Sequence, residues 1–596
     1  MIIRNIFQLR FIPHPPPNLP LEGGGNKNHY PHSVANKGFL PSPSSKGNNL
    51  CLLISLVFVF LAFVFFPGKI WGAEYQQLAG VLDVRSNFSD GIYSIEGLAK
   101  MTRERGIHVL FLNDHDKMTI SYGLPPFPNI ISKTEEMNSI LKRGPEEYLE
   151  TIGRAQRAYK DVIIIPGTES APFYFWTGNP LKNNLIAHDH ERRILTVGLD
   201  KAEDYRKMPV VHNVGPFNIN LLPRVIPFIV SFLLAVVMIV WQGWFRITGI
   251  VLAIISLLFI IDNHPFRASS FDPYHGKKGL APYQGLIDYV NARGGMTFWN
   301  YPETQSGVRK LGPIQVSTKP YPEVIIESRD YTGFAALYGD TSTITEPGSL
   351  WDTTLREYCK GYRMWPPWGV ATADYHDEKG GKLGDYQTVF LVKENTRAAV
   401  LKAMQTGKMY ARQGSFPNLP RLDEFSVSST DGLKLGISGD DIIIKGNPRI
   451  RIVISAEKMS AAAATTKATE AQTPPTTTEV PAAATSLTAT IAAKPMTKES
   501  TPPASTTAAT ASTKTTISAT TIATTATPAT TATPASASVK VRLIRNGAMI
   551  QTFTGPLPLT VDYGDPYQPQ KEKIFYRLDV EGAGKIISNP IFVSFE

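Results

Sequence analysis

Two apolar runs separated by six residues lie near the middle of the chain, and they constrain its fold more than any other feature. VIPFIVSFLLAVVMIV covers residues 225–240 and ITGIVLAIISLLFII covers residues 247–261. Each approaches the roughly 17–25 residues that cross a bilayer as a helix, and each is almost free of polar side chains. The link between them holds Trp241, Trp244, Phe245 and Arg246, a composition that suits a membrane interface. The competing reading is a helical hairpin buried in a soluble core.

A third run, LCLLISLVFVFLAFVFF, spans residues 50–66. It follows a segment with Arg4, Arg10, Lys27, Lys37 and Lys46 against one acid, Glu22, a bias that keeps the N-terminus of an anchor in the cytoplasm. A cleaved signal peptide is the rival, although bulky Trp71 before Ala73 fits the small-residue cleavage rule poorly. Residues 1–49 are rich in Pro, Gly and Asn without periodicity and are expected not to fold.

Around the hairpin, helical and strand patterns alternate. Ser94 to Gly106 reads as a helix with a serine cap and a glycine stop. Glu135 to Tyr159 reads as a second, broken at Gly144-Pro145. Apolar strands sit between the helices, which implies a parallel sheet covered on both faces. Polar residues gather just past their ends: Asp83 and Asp90, His115, Glu169, Tyr301, then Asp374 and His376. Such gathering at the C-terminal ends of parallel strands implies a barrel-type site. If these residues share one site, both halves of the barrel lie on one side of the membrane, and two spans return the chain to that side. With a cytoplasmic N-terminus, that side is extracytoplasmic.

From about residue 388 the pattern turns to alternating strands, with Asn546-Gly547 as a hairpin signal. This is the pattern of a C-terminal antiparallel β-sandwich over 388–596. An Ala/Thr/Pro/Ser-rich insert over 459–538 interrupts it and is expected to be disordered. The net charge of +9 is spread without a dense basic block, so no nucleic-acid partner is expected. Two cysteines, Cys51 and Cys359, make neither a disulfide framework nor a thiolate zinc site.

The motifs resemble those of the PHP (polymerase and histidinol phosphatase) superfamily. The family's opening His-x-His followed by Ser-Asp-Gly corresponds here to Asp83, Arg85 and Ser89-Asp90-Gly91. Its Asp-His motif is Asp114-His115, its Pro-Gly-x-Glu is Pro166-Gly167-Thr168-Glu169, and its closing Asp-x-His is Asp374-Tyr375-His376. The strand that ends Ala-His-Pro in the family ends here in Asn300-Tyr301-Pro302.

The resemblance implies an α/β fold: a PHP-type distorted β/α barrel, with halves over 75–221 and 263–387, interrupted by a transmembrane hairpin over 222–262. The segment over 50–67 stands before it as anchor or signal. The resemblance also implies a divalent metal, Zn, Mn or Fe, and the ligand candidates Asp90, His115, Glu169, Asp374 and His376, with Asp83 as a further one. Arg85 replaces a ligand and, as a fixed cation, is a candidate clamp for an anionic substrate. Arg193 stands about where the family has another histidine, which His188 or His190 could replace. The implied function is hydrolysis of phosphate or other esters at the cell envelope, on a small anionic or ester substrate. The alternative is a catalytically degenerate PHP domain that serves as a membrane-anchored ligand-binding or structural protein.

Overall fold

A computed structural model describes residues 75–596 except 180, 181, 183, 313, 341, 416–418, 431, 433, 434, 458–537 and 568–570. The expectations for residues 1–49, for the 50–67 segment and for the insert before Ser538 lie outside the described residues. The chain opens with strand β1 (Gln76–Val84), α1 (Ile95–Glu104), β2 (Val109–Leu112), β3 (Thr119–Gly123) and β4 (Ser132–Glu136). The Ser94 hydroxyl accepts from the Gly97 N–H at 3.1 Å and caps α1, and Gly106 leaves it at a φ of 66°. Helices α2 (Ile140–Arg143) and α3 (Pro145–Ala158) then lead to β5 (Ile163–Ser170). The helix expected from Glu135 begins later, because Glu135 and Glu136 pair with Ile120 and Thr119 across the β3–β4 hairpin. That pairing satisfies backbone groups that an isolated helical turn would leave open.

Next come β6 (Phe175–Thr177), β7 (Ile186–His188), β8 (Arg193–Val197) and α4 (Ala202–Arg206), then the long helices α5 (Leu222–Val240) and α6 (Trp244–Asp262). After them follow α7 (Ala281–Asn291), β9 (Met296–Asn300), β10 (Gly307–Leu311), β11 (Ile314–Thr318), α8 (Val324–Glu327), β12 (Gly333–Leu337), α9 (Leu350–Cys359), β13 (Trp368–Ala371) and β14 (Tyr386–Val392).

The main sheet runs β13-β12-β9-β8-β5-β2-β1. It curls into a half-barrel, because the segment after β13 returns beside β1. There Ala373 N–H donates to the Leu82 carbonyl at 3.0 Å and Arg85 N–H to the Tyr375 carbonyl at 2.9 Å. The all-parallel expectation fails at β8, which is antiparallel to both β5 and β9. Among the described residues between β5 and β8 there are two short strands and no crossover helix of the kind a parallel return requires. The reversal puts Arg193 at the start of β8 opposite Asn300 at the end of β9, so both sit at the rim where β1, β2 and β5 end.

Strand β14 crosses the expected 387/388 boundary and pairs antiparallel with β1. Beyond it are α10 (Arg397–Thr406), β15 (Met409–Gln413), β16 (Pro420–Ser428), β17 (Leu435–Ile437), β18 (Asp441–Ile444) and β19 (Arg449–Ala456). The last strands are β20 (Ser538–Arg545), β21 (Ala548–Pro556), β22 (Leu559–Gly564), β23 (Ile574–Gly582), β24 (Lys585–Ser588) and β25 (Ile591–Phe595). The main sheet continues through β14, β15, β24, β23, β20 and β21. A second sheet, β17-β16-β19-β22, shares with it a core that includes Phe425, Ile452, Val541 and Leu578. Strand β19 before the insert pairs with β22 after it. This region is not wholly antiparallel: β18 and β25 pair in parallel, and being distant in sequence they are free of a hairpin's directional constraint. Asn546 and Gly547 take φ values of 50° and 86°, the paired left-handed residues of a tight hairpin.

Helices α5 and α6 pack on each other through stacked Phe228 and Phe259 rings 4.6 Å apart and a Ser256–Ser231 hydroxyl bond of 2.9 Å. At Gly249 a side chain would meet the Ala235 carbonyl at 2.8 Å, so glycine permits the close approach. Both helices are long and apolar enough to cross a membrane, and only 11% of each span is buried. They are therefore not core helices of the fold.

Candidate functional site

The site is assembled at one rim of the half-barrel from residues just past the strand ends. Asp83 and Arg85 end β1, Asp90 follows in the next loop, His115 follows β2, Glu169 lies at the end of β5, and Tyr301 follows β9. Asp374 and His376 stand beyond β13. Three of these residues hold positive φ without being glycine: Asp83 at 65°, Tyr301 at 47° and Asp374 at 45°. Left-handed backbone is costly for such side chains, by about 1–3 kcal/mol each, and it clusters where function over-determines geometry.

The inner part of the site is a carboxylate cage around Arg85, whose residue is 1% exposed. Its Nη2 lies 2.7 Å from Glu169 Oε2 and 3.2 Å from Asp374 Oδ1, and its Nη1 pairs with Asp83 and donates to the Asn113 carbonyl at 3.0 Å. Its Nε is 3.8 Å from Asp90 Oδ1. Burial pulls the guanidinium pKa down, but Asp83, Glu169, Asp374 and Asp90 more than reverse this and hold it well above its ordinary value. The Arg85 charge is spent on four carboxylates and does not face solvent.

Asn300 Nδ2 donates to Asp83 at 2.8 Å and to Glu169 at 2.9 Å. The Tyr301 phenol donates to Asp83. Burial, then the charges of Asp374 and Asp83, push that phenol well up, so it remains a donor. Burial favours the neutral form of Glu169, yet Arg85, Arg193 and His115 hold its pKa down at about 2.

The outer part is open. The side chains of Asp90 and His376 are 35% and 34% exposed, and that of Asp374 is 54% exposed. Asp90 Oδ2 lies 3.3 Å from His115 Nε2 and 3.3 Å from His376 Nε2. The two imidazoles hold Asp90 far below the usual carboxylate range although burial opposes this. His376 Nδ1 donates to the Asp374 carbonyl at 2.8 Å, which turns Nε2 towards Asp90. Against burial, Asp90 and Asp374 raise the His376 pKa to about 9. His115 Nδ1 lies 3.3 Å from both Glu169 Oε2 and Arg193 Nη1.

The structure therefore brings together Asp83, Arg85, Asp90, His115, Glu169, Tyr301, Asp374 and His376. It adds Arg193, which points into the cage, and Asn300, which sequence reasoning missed. Asn300 sits at a strand tip like the others, but an uncharged amide gives no titratable signal. His188 is drawn elsewhere, bonded to Thr177 at 2.7 Å and stacked on Phe175. His190 packs edge-on against Tyr174.

Among the described residues no three His, Cys, Asp or Glu side chains form a ready-made metal centre. The donor chemistry still separates two regions. Asp83 and Glu169 do not fit a metal, because a guanidinium already occupies the space between them. Asp90, His115 and His376 offer donors of a suitable kind without forming such a centre. Two imidazoles and a carboxylate suit Zn, Mn or Fe, and 3.3 Å is close to the spacing of neighbouring donors on one ion with bonds of about 2.0–2.1 Å.

No protein-family model matches the sequence, and no curated protein does. Among solved structures, similarity is found to a two-domain protein from Bacteroides vulgatus containing a predicted PHP-like metal-dependent phosphoesterase. It is 9% identical, covers 87% of this chain and 95% of that one, and has a TM-score of 0.29. A candidate metal-dependent phosphoesterase from Bifidobacterium adolescentis is 14% identical, covers 54% of this chain and 96% of that one, and scores 0.25. An amidohydrolase from Chromobacterium violaceum, with bound sulfate and no metal, is 14% identical, covers 50% and 87%, and scores 0.22. Scores of this size assign neither family nor activity.

Proposed function

We propose that this chain is a PHP-type metal-dependent hydrolase of phosphate or other esters, held in the cell membrane with its barrel on the extracytoplasmic side. The observation that carries the reading is the convergence of Asp90 Oδ2 with the Nε2 atoms of His115 and His376 at 3.3 Å, at the open mouth of the rim. Asp90, His115 and His376 would hold one divalent ion, Zn, Mn or Fe, with Asp374 beside them. Such an ion supplies Lewis-acid activation of the ester and of water.

The chain's own residues prepare the site. Arg85 neutralises Asp83 and Glu169 and fixes them. His376 presents Nε2 because its Nδ1 proton is held by the Asp374 carbonyl. A small anionic or ester substrate would enter between Asp90, Asp374 and His376, where the side chains are exposed. The membrane reading is supported by α5 and α6, whose apolar faces are left largely uncovered by the described residues. Residues from before and after that pair, such as Glu169 and Asp374, meet on Arg85, which requires one side for the whole barrel.

Arg85 also favours a second reading, a degenerate domain that binds a ligand or partner without chemistry, because a fixed cation already fills the inner cage. Metal content measured by mass spectrometry on the detergent-purified protein separates the two. About one ion per chain, lost in an Asp90→Ala/His115→Ala variant, supports the hydrolase, and a phosphoester and carboxyester screen follows. No stoichiometric metal after reconstitution with Zn²⁺ or Mn²⁺ overturns it.

A further inference from the structure

The loop between β3 and β4 has the sequence Leu124-Pro-Pro-Phe-Pro-Asn-Ile-Ile131 and carries no charge. Leu124, Ile130 and Ile131 are 45%, 42% and 50% exposed, so the tip offers apolar surface that none of the described residues covers. It is tied to the end of α6. The Asn129 N–H donates to Asp262 Oδ1 at 2.7 Å, and Asn129 Nδ2 donates to the Asp262 carbonyl at 3.1 Å. The Phe127 ring packs on Phe259 at 4.8 Å, and Phe259 in turn stacks on Phe228 of α5.

Phe259 lies three residues inside the end of α6, about 4.5 Å along the axis at about 1.5 Å per residue. The tip therefore runs beside the first turn of the helical pair. Whatever surrounds the pair at that level also surrounds the tip.

The backbone N–H groups of the tip are all engaged. Leu124 N–H donates to the Ile131 carbonyl at 2.8 Å, Phe127 to Leu124 at 3.2 Å, Ile130 to Phe127 at 3.1 Å and Ile131 to Phe127 at 2.8 Å. Asn129 is bonded to Asp262, and Pro125, Pro126 and Pro128 have no N–H. Every amide donor from residue 124 to 131 is thus satisfied inside the protein. An unmet donor in an apolar medium costs several kcal/mol, and this loop has none to lose. Exposed apolar side chains over a backbone whose N–H groups are all engaged, uncharged and level with the end of an apolar helix, suit the bilayer interface, where the carbonyls can still meet water and headgroups. Monotopic apolar faces sink about 5–10 Å into that layer.

We propose that the β3–β4 tip, residues 124–131, is a third membrane contact that sinks into the same bilayer as α5 and α6. The inference rests on the reading that those helices span a membrane. Phe217, Ile219 and Phe266, also exposed near the base of the pair, extend the same apolar collar.

The test uses the full chain, one copy per lipid nanodisc, in a Cys51→Ser/Cys359→Ser background whose circular dichroism matches the wild type. A fluorophore is placed on Ile131→Cys in the tip, on Ile254→Cys in the middle of α6, or on Met549→Cys in β21. Leu124→Cys replaces Ile131→Cys if that variant does not fold. Lipids brominated near the carbonyl region and near the chain ends serve as quenchers. Loss of fluorescence at Ile131 with the shallow lipid and at Ile254 with the deep lipid, and none at Met549, supports the proposal. Quenching at Ile254 without quenching at Ile131 overturns the tip contact and leaves the spans standing. No quenching at either overturns both. Shielding of Ile131 only when two copies share a disc assigns the tip to a second copy and overturns the lipid contact.

Discussion

Arg85 and Glu169 form a buried ion pair, Nη2 to Oε2, at 2.7 Å, with side chains 2% and 3% exposed. The same guanidinium reaches Asp83, Asp374 and, more distantly, Asp90. One side chain from the end of β1 thereby gathers acids from β5 and from the segment after β13, elements far apart in sequence.

Replacing Arg85 by Met should cost about 3–5 kcal/mol at pH 7, the range for removing one partner of a buried pair. Without the cation the folded-state pKa values of the caged carboxylates rise above their unfolded values. The deficit is then smallest below pH of about 4 and grows as pH rises. Urea midpoints from pH 4 to 8 measure this. Equal stability of variant and wild type at pH 7 would remove Arg85 from its counter-ion role.

Glu169 sets an acid limit of its own. Its folded pKa of about 2 lies below the ordinary 4.5, so its contribution is present above pH of about 4.5 and is lost as pH falls towards 2. Unfolding curves of the wild type between pH 5 and 2 should fall more steeply than those of Glu169→Gln. Parallel curves would show that Glu169 does not differ between the folded and unfolded states.

Metal affinity should depend on pH through His376. In the metal-free protein this imidazole titrates at about 9, so an ion must displace its proton below that pH. Apparent affinity for Zn²⁺ or Mn²⁺ should rise about tenfold per pH unit between pH 6 and 8 if one proton is released. Titration calorimetry in two buffers of different ionisation enthalpy counts that proton. His376→Ala should bind weakly and without the slope, and a flat profile in the wild type would take His376 out of the ligand set.

The helical pair is inserted through a closed neck. Asn218 N–H donates to the Pro265 carbonyl at 2.8 Å, Ala268 N–H to the Asn213 carbonyl at 3.0 Å, and Val214 bridges Arg267. Replacing residues 219–264 by a short Gly/Ser turn should therefore leave the half-barrel folded. The expected product stays folded in detergent and keeps the metal stoichiometry of the full chain. Aggregation of a variant that also carries Ile130→Ser and Ile131→Ser would show that the pair supports the fold itself.

Much of this arrangement was legible in the residues. A serine cap and a glycine stop bound α1, and Asn546-Gly547 makes its hairpin. The site side chains meet because each stands just past a strand end, and strand ends are readable from apolar runs giving way to polar ones. What escaped had physical reasons. An apolar run carries no direction, so the reversal of β8 was invisible, although the motif alignment already set Arg193 at a family histidine's place. Asn300 has no charge to mark it. The short polar segment Ser132–Glu136 reads as well for a helix start as for a strand, and its partner β3 decided it. Strand β14 is as apolar as those before it, so a change of domain expected near residue 388 fell inside an element that belongs to both sides.

That last strand bears on how the molecule would move. Strands β1, β14, β15, β24 and β23 are hydrogen-bonded in one unbroken series. The junction is riveted by the fully buried Arg577–Asp352 pair, and by Asn589, which bonds both Gly369 and Met409. A hinge needs a place where few bonds cross, and this junction has none. Pulling on the C-terminal strands would load the rim that carries Asp83 directly, and cutting them away would unzip an edge of the half-barrel rather than shed an appendage.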